Sequence, residues 1–146
     1  MGLTLFDTSA VVGLLDRDDA LHDAAARAFG EHGRRRDRFA ASAVSWAELL
    51  VGAARGYYRE RLLRGLFDEM AIEIVAVDTA VAERAAHLRA AYLRRHGSAA
   101  LRLPDALILA TAETAVDCTG VVTGDRGWDR VPGLRVPLLL LSRAAH

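Results

Sequence analysis

Asp7, Glu48, Asp105 and Asp125 each stand where the sequence pattern predicts that a strand hands over to a helix or a loop. One acid at such a junction is ordinary. Four of them, in 146 residues with a parallel-sheet pattern, imply one shared pocket of negative charge. Like charges raise each other's pKa, so such a pocket is unfavourable until a cation enters it. Carboxylate-only ligation suits Mg²⁺ or Mn²⁺, and the chemistry these ions commonly support acts on phosphates.

Each acid also has a plainer reading. Asp7 fits a helix N-cap, a role Thr8 or Ser9 could share. Ser45-Trp46-Ala47-Glu48 matches the capping box, in which Glu48 would bond back to the cap amide. Asp105 follows Pro104 in a first helical turn and complements the helix dipole there. Its neighbours Leu101, Leu103, Leu107, Ile108 and Leu109 are apolar, so it should point into a cleft or pair with Arg102. Asp125 follows Gly124 in a turn, with Thr123 able to add a hydroxyl. Asp129 reads as a solvated turn residue or an Arg130 partner.

The elements that must position these residues alternate between β and α, which predicts an α/β fold with a mostly parallel sheet. Strands are expected at 3–6, 38–41, 72–77, 121–124 and 136–141, and helices at 8–15, 20–30, 45–55 and 57–70. A long helix should start at a cap on Asp78 or Thr79 and run to His96, with Gly97 as its stop, and another should span 105–116 behind Pro104. Residues 32–38 read as a polar, arginine-rich loop, a solvated feature or, alternatively, an RNA clamp. No repeat or linker divides the chain, so one domain over 1–146 is expected.

Composition narrows the chemistry. There is no Lys, Asn or Gln, and all 19 basic residues other than His are Arg. A P-loop therefore cannot be built, nor can the response-regulator or haloacid-dehalogenase-type sites that also place an Asp after the first strand but need a lysine. Nineteen acids cancel the arginines, so net charge favours no partner. Cys118 is the single cysteine and reads as a small core residue, which suits a reducing cytosol. His22, His32, His87, His96 and His146 lack metal-ligand spacing. The apolar runs are too short for a signal peptide or a membrane span, so a cytoplasmic protein is expected.

The segments FDTSA, SWAELLVGA, RLPDALILATA and VVTGDRGWDRVPGLRV resemble, in order, the four acidic blocks of the PIN domain, specifically of VapC-type toxin ribonucleases. No single block is specific, but the ordered set spans nearly the whole chain. The resemblance implies a PIN-like three-layer α/β/α fold with a short, mostly parallel central sheet. It implies that Asp7, Glu48, Asp105 and Asp125 are the catalytic, metal-holding quartet, with Thr8, Ser9 and Thr123 as supporting hydroxyls. The implied activity is Mg²⁺- or Mn²⁺-dependent RNA hydrolysis leaving 5′-phosphate and 3′-hydroxyl ends, by a homodimer held in check by a cognate antitoxin. Trp128 stands where the family usually has Phe and is expected to pack; Gly127 stands where many members carry a further acid. An inactive PIN-like module that binds RNA or protein is the alternative function, disfavoured by the complete acidic set. A metal-dependent phosphatase of small molecules is weaker still.

Overall fold

The computed structural model describes residues 2–97 and 101–144. Among these residues five strands form one sheet: β1 (Leu3–Phe6), β2 (Arg38–Ser42), β3 (Glu73–Val75), β4 (Cys118–Thr123) and β5 (Leu138–Leu140). Their order is β3-β2-β1-β4-β5, and every neighbouring pair is parallel. The order reverses direction between β1 and β4. In open α/β sheets the crevice beyond the strands' carboxyl ends at such a switch point is where ligands bind.

Among the described residues six helices cover the sheet: α1 (Thr8–Leu15), α2 (His22–Arg34), α3 (Ala43–Ala54), α4 (Glu60–Glu69), α5 (Thr79–His96) and α6 (Leu103–Thr114). Alternation along the strands divides the core between two layers. Phe6 and Val122 pack with Val11, Phe29, Leu49 and Phe67 from the first four helices. Leu5 and Val121 face the other way, onto Leu88, Ile108 and Leu109 of α5 and α6. The expected three-layer α/β/α architecture is therefore observed, with the sheet fully parallel.

Local boundaries follow from capping. Asp78 accepts from Val81 N at 2.9 Å and starts α5, and Gly97 at φ 73 ends it. Several boundaries depart from the sequence expectation: α4 starts at Glu60 rather than 57, β4 starts at Cys118 rather than 121, and β3 and β5 are shorter than the expected 72–77 and 136–141. Two further departures bear on the site and on the arginine-rich loop. α2 continues past Gly30 to Arg34, so the arginine-rich loop is reduced to 35–37. Its end is a Schellman motif: Asp37 N bonds His32 O, Arg36 N bonds Gly33 O, and Arg36 takes the left-handed φ of 59. α3 starts two residues earlier than expected. Ser42 is its N-cap, accepting from Val44 N at 3.1 Å, so Ser45 lies inside the helix and Glu48 is no capping-box partner.

Candidate active site

Asp7 ends β1 and caps α1, and only 5% of its surface is exposed. Three donors surround its carboxylate. Thr8 N donates to Oδ1 at 2.6 Å, and Ser9 Oγ and Thr123 Oγ1 donate to Oδ2 at 2.8 and 2.7 Å. The two hydroxyls are themselves oriented: Ser9 Oγ accepts from Gly124 N, and Thr123 Oγ1 from Asp125 N. Both hydroxyl protons are thereby turned toward Asp7, which must offer them an acceptor. A Cβ at Gly124 would run into Leu21 Cδ1, so a larger residue there would force that side chain to move.

Burial still dominates the titration of Asp7. Desolvation raises its pKa from 3.8 to about 6, against the lowering effect of the three hydrogen bonds, and Asp105 adds a smaller upward push. Asp105, in the first turn of α6, is also buried and also raised, chiefly by desolvation. Arg102, with Nε 3.4 Å from Oδ2, pulls it down, while Asp125 and Glu48 push it up. Asp105 is thus buried and paired with Arg102.

Glu48 projects from α3 and accepts from Thr8 Oγ1 at 2.9 Å. Asp125 is exposed, follows β4 and caps a 3₁₀ turn at Arg126–Arg130 by accepting from Gly127 N at 2.9 Å. The structure therefore brings all four acids to the carboxyl edge of the sheet, linked by Thr8 and Thr123 and within each other's electrostatic reach through Asp105. Thr8 and Ser9 turn out to serve different carboxylates, Glu48 and Asp7 respectively.

This donor set fits a hard divalent cation. It offers only oxygens, and it aims hydrogen bonds at a carboxylate whose charge burial opposes, a charge that a cation would stabilise. Among the described residues, no three acid, His or Cys side chains yet converge tightly enough to enclose an ion.

The remaining candidates fall outside this edge. Trp128 is 2% exposed and packs in the second core layer. Half-buried Cys118 packs beside that layer, and burial raises its thiol pKa. His22 Nδ1 lies 2.8 Å from Gly13 O, and His32 Nδ1 lies 2.8 Å from Asp37 Oδ2. His146 lies outside the described residues. Arg34–Asp37 joins α2 to the start of β2, at the sheet edge opposite the four acids. Sequence reasoning missed Arg126 and Arg143, which line a cleft beside Asp125. Arg143 gives no sequence signal, because its position depends on how the segment after β5 folds back.

A sequence model described as PIN domain matches residues 4–134. The fold is similar to VapBC2 from Rickettsia felis bound to a DNA fragment from their promoter, with TM-score 0.73 and 20% identity over 96% of this chain and 99% of that one. It is similar to a toxin–antitoxin complex from Klebsiella pneumoniae, with TM-score 0.69 and 26% identity over 97% and 99%. It also resembles FitAcB from Neisseria gonorrhoeae, with TM-score 0.72 and 24% identity over 93% and 96%. No curated protein matches the sequence.

Proposed function

The chain belongs to the PIN-domain family, and from that premise we propose that it is a metal-dependent endoribonuclease acting as the toxin of a toxin–antitoxin pair. One observation carries the reading. Buried Asp7 is held as an acceptor by Thr8, Ser9 and Thr123 at the sheet's switch point, with Glu48, Asp105 and Asp125 along the same edge. A structural cap needs neither the burial nor two hydroxyls from separate segments. The similarity to the Klebsiella pneumoniae toxin–antitoxin complex supports the biological role.

Asp7, Asp105 and Asp125 would hold Mg²⁺ or Mn²⁺, with Glu48 completing the negative cage. The bound ion would acidify the attacking water and neutralise charge developing on the phosphate. Asp7 sets the position of the cage, because its orientation is fixed by three donors. Thr8 orients Glu48 on the same edge of the sheet. An ionised carboxylate of the set accepts the proton released by the attacking water. A cognate antitoxin would block the acidic edge, and a homodimer is the expected assembly. No described helix is long and apolar enough to cross a membrane; we place the protein in the cytoplasm.

The test uses purified protein free of its partner. RNA should be cleaved with Mg²⁺ or Mn²⁺ and spared with a chelator. Asp7→Asn and Asp105→Asn should each lower the rate by about 10²-fold or more while the circular dichroism is unchanged. Equal cleavage by both variants would assign the activity to a contaminant. RNA binding without cleavage by the wild type would identify an inactive binding module.

A further inference from the structure

An acidic edge repels the polyanion it would cut, and a net charge of zero supplies no long-range attraction. Cations must therefore stand beside the edge, and they do so on one flank. Arg126 and Arg143 line a cleft of about 500 Å³ together with Ser9, Gly124 and Asp125. Arg143 is delivered there by the segment after β5, where Leu141 N donates to Thr123 O and Ala144 N to Ala20 O, each at 2.8 Å. Among the described residues neither guanidinium pairs with a carboxylate. Among those residues Arg126 makes a single side-chain bond, 3.4 Å long, to Ser142 Oγ.

The opposite flank offers a different chemistry. A cleft of about 390 Å³ runs from Thr8 and Glu48 to Arg55 and Tyr57. Tyr57 is 64% exposed, and the Arg55 guanidinium lies 4.9 Å from its ring centre. An exposed aromatic ring backed by a cation is what a nucleobase stacks on when no amide side chain is present to read its edge.

We propose that single-stranded RNA crosses the acidic edge with its backbone phosphates held by Arg126 and Arg143 on one flank and a base stacked on Tyr57 on the other. The track deepens the ribonuclease reading and rests on it. The two flanks act through different physics, so they separate experimentally. Phosphate contacts carry salt dependence; stacking does not.

The experiment measures binding of a single-stranded RNA of about 12 nucleotides by fluorescence anisotropy across a salt series, in chelator so that the probe stays intact. Cleavage KM and kcat are measured in parallel with metal present. Arg126→Ala/Arg143→Ala should weaken binding and reduce the salt slope by about 1.4, as two single-strand phosphate contacts require. Tyr57→Ala should weaken binding about tenfold with the slope unchanged, and Tyr57→Phe should restore it. The arginine double variant and Tyr57→Ala should raise KM more than they lower kcat, and Tyr57→Phe should leave both near wild type. Arg34→Ala/Arg35→Ala, at the far edge, should change neither. If the wild type cleaves RNA but these variants bind and cleave it unchanged, the track is wrong and the ribonuclease reading survives. If Tyr57→Ala spares RNA binding and instead weakens a protein partner, the aromatic cleft is a protein seat and the track is overturned. A wild type that neither binds nor cleaves RNA removes both.

Discussion

Asp7 combines two opposing demands, burial and ionisation. Its three hydrogen bonds favour the charged form, yet desolvation leaves the folded pKa at about 6, above the ordinary 3.8. A raised carboxylate pKa means that the folded state binds the proton more tightly than the unfolded state does. The resulting stabilisation is complete below about pH 4 and is lost as pH rises through about 6. The gap corresponds to roughly 3 kcal/mol. The metal-free protein should therefore melt at progressively lower temperature between about pH 4 and pH 7. Asp7→Asn should flatten that slope, with Asp105, raised in the same direction, supplying what remains. Thermal midpoints measured in chelator across this range test the claim, and parallel curves for wild type and variant would refute it. That the four acids gather at one edge was legible in the sequence through their junction positions. Which hydroxyl serves which acid was not, since Thr8 and Ser9 are adjacent and only the path of α3 brings Glu48 to the first of them.

At the scale of elements, helix ends decide where the side chains go. The sequence offered Ser45 and Glu48 as a capping box, but Ser42 holds the cap. Thr111 Oγ1 donates to Leu107 O, so Ser42 Oγ accepts from Val44 N while donating its own proton to Thr111, tying α3 to α6. Ser45 Oγ is buried and has no partner among the described residues. Ser42→Ala should then cost about 1–2 kcal/mol of stability, whereas Ser45→Ala should be neutral or stabilising by up to about 1 kcal/mol. Urea titrations of the two variants separate these roles; a loss at Ser45 comparable to that at Ser42 would restore the capping box. The end of α2 was misjudged for a related reason. Glycine is the usual left-handed terminator, and it does end α3 at Gly56, φ 82. In α2 and α4 that position is taken by Arg36 and Ala71, which leave no compositional mark.

For the whole molecule, strand and helix identity was readable from apolar periodicity, but strand order was not, because pairing depends on crossovers that no local pattern encodes. The order matters: it sets the acids on one edge and the 35–37 loop on the other. The layer of α5 and α6 is locked by one charged junction. Arg84 donates to both Glu113 oxygens and to Gly133 O, and Arg135 N donates to Glu113 at 2.6 Å. The Glu113 side chain is 3% exposed, so Arg84→Ala would strand a buried charge and cost about 3 kcal/mol. Arg84→Met/Glu113→Leu should recover most of that loss in chemical denaturation, because the stranded carboxylate is gone. A practical consequence concerns affinity tags. Gly2 N is bonded to Asp37 at the edge remote from the acids, while Ala144 is fastened to Ala20 beside Ser9 and Arg143. A purification handle fused ahead of Gly2 would hang clear of the cleft; the same handle appended after residue 144 would crowd its mouth and would lower the RNA cleavage proposed for it.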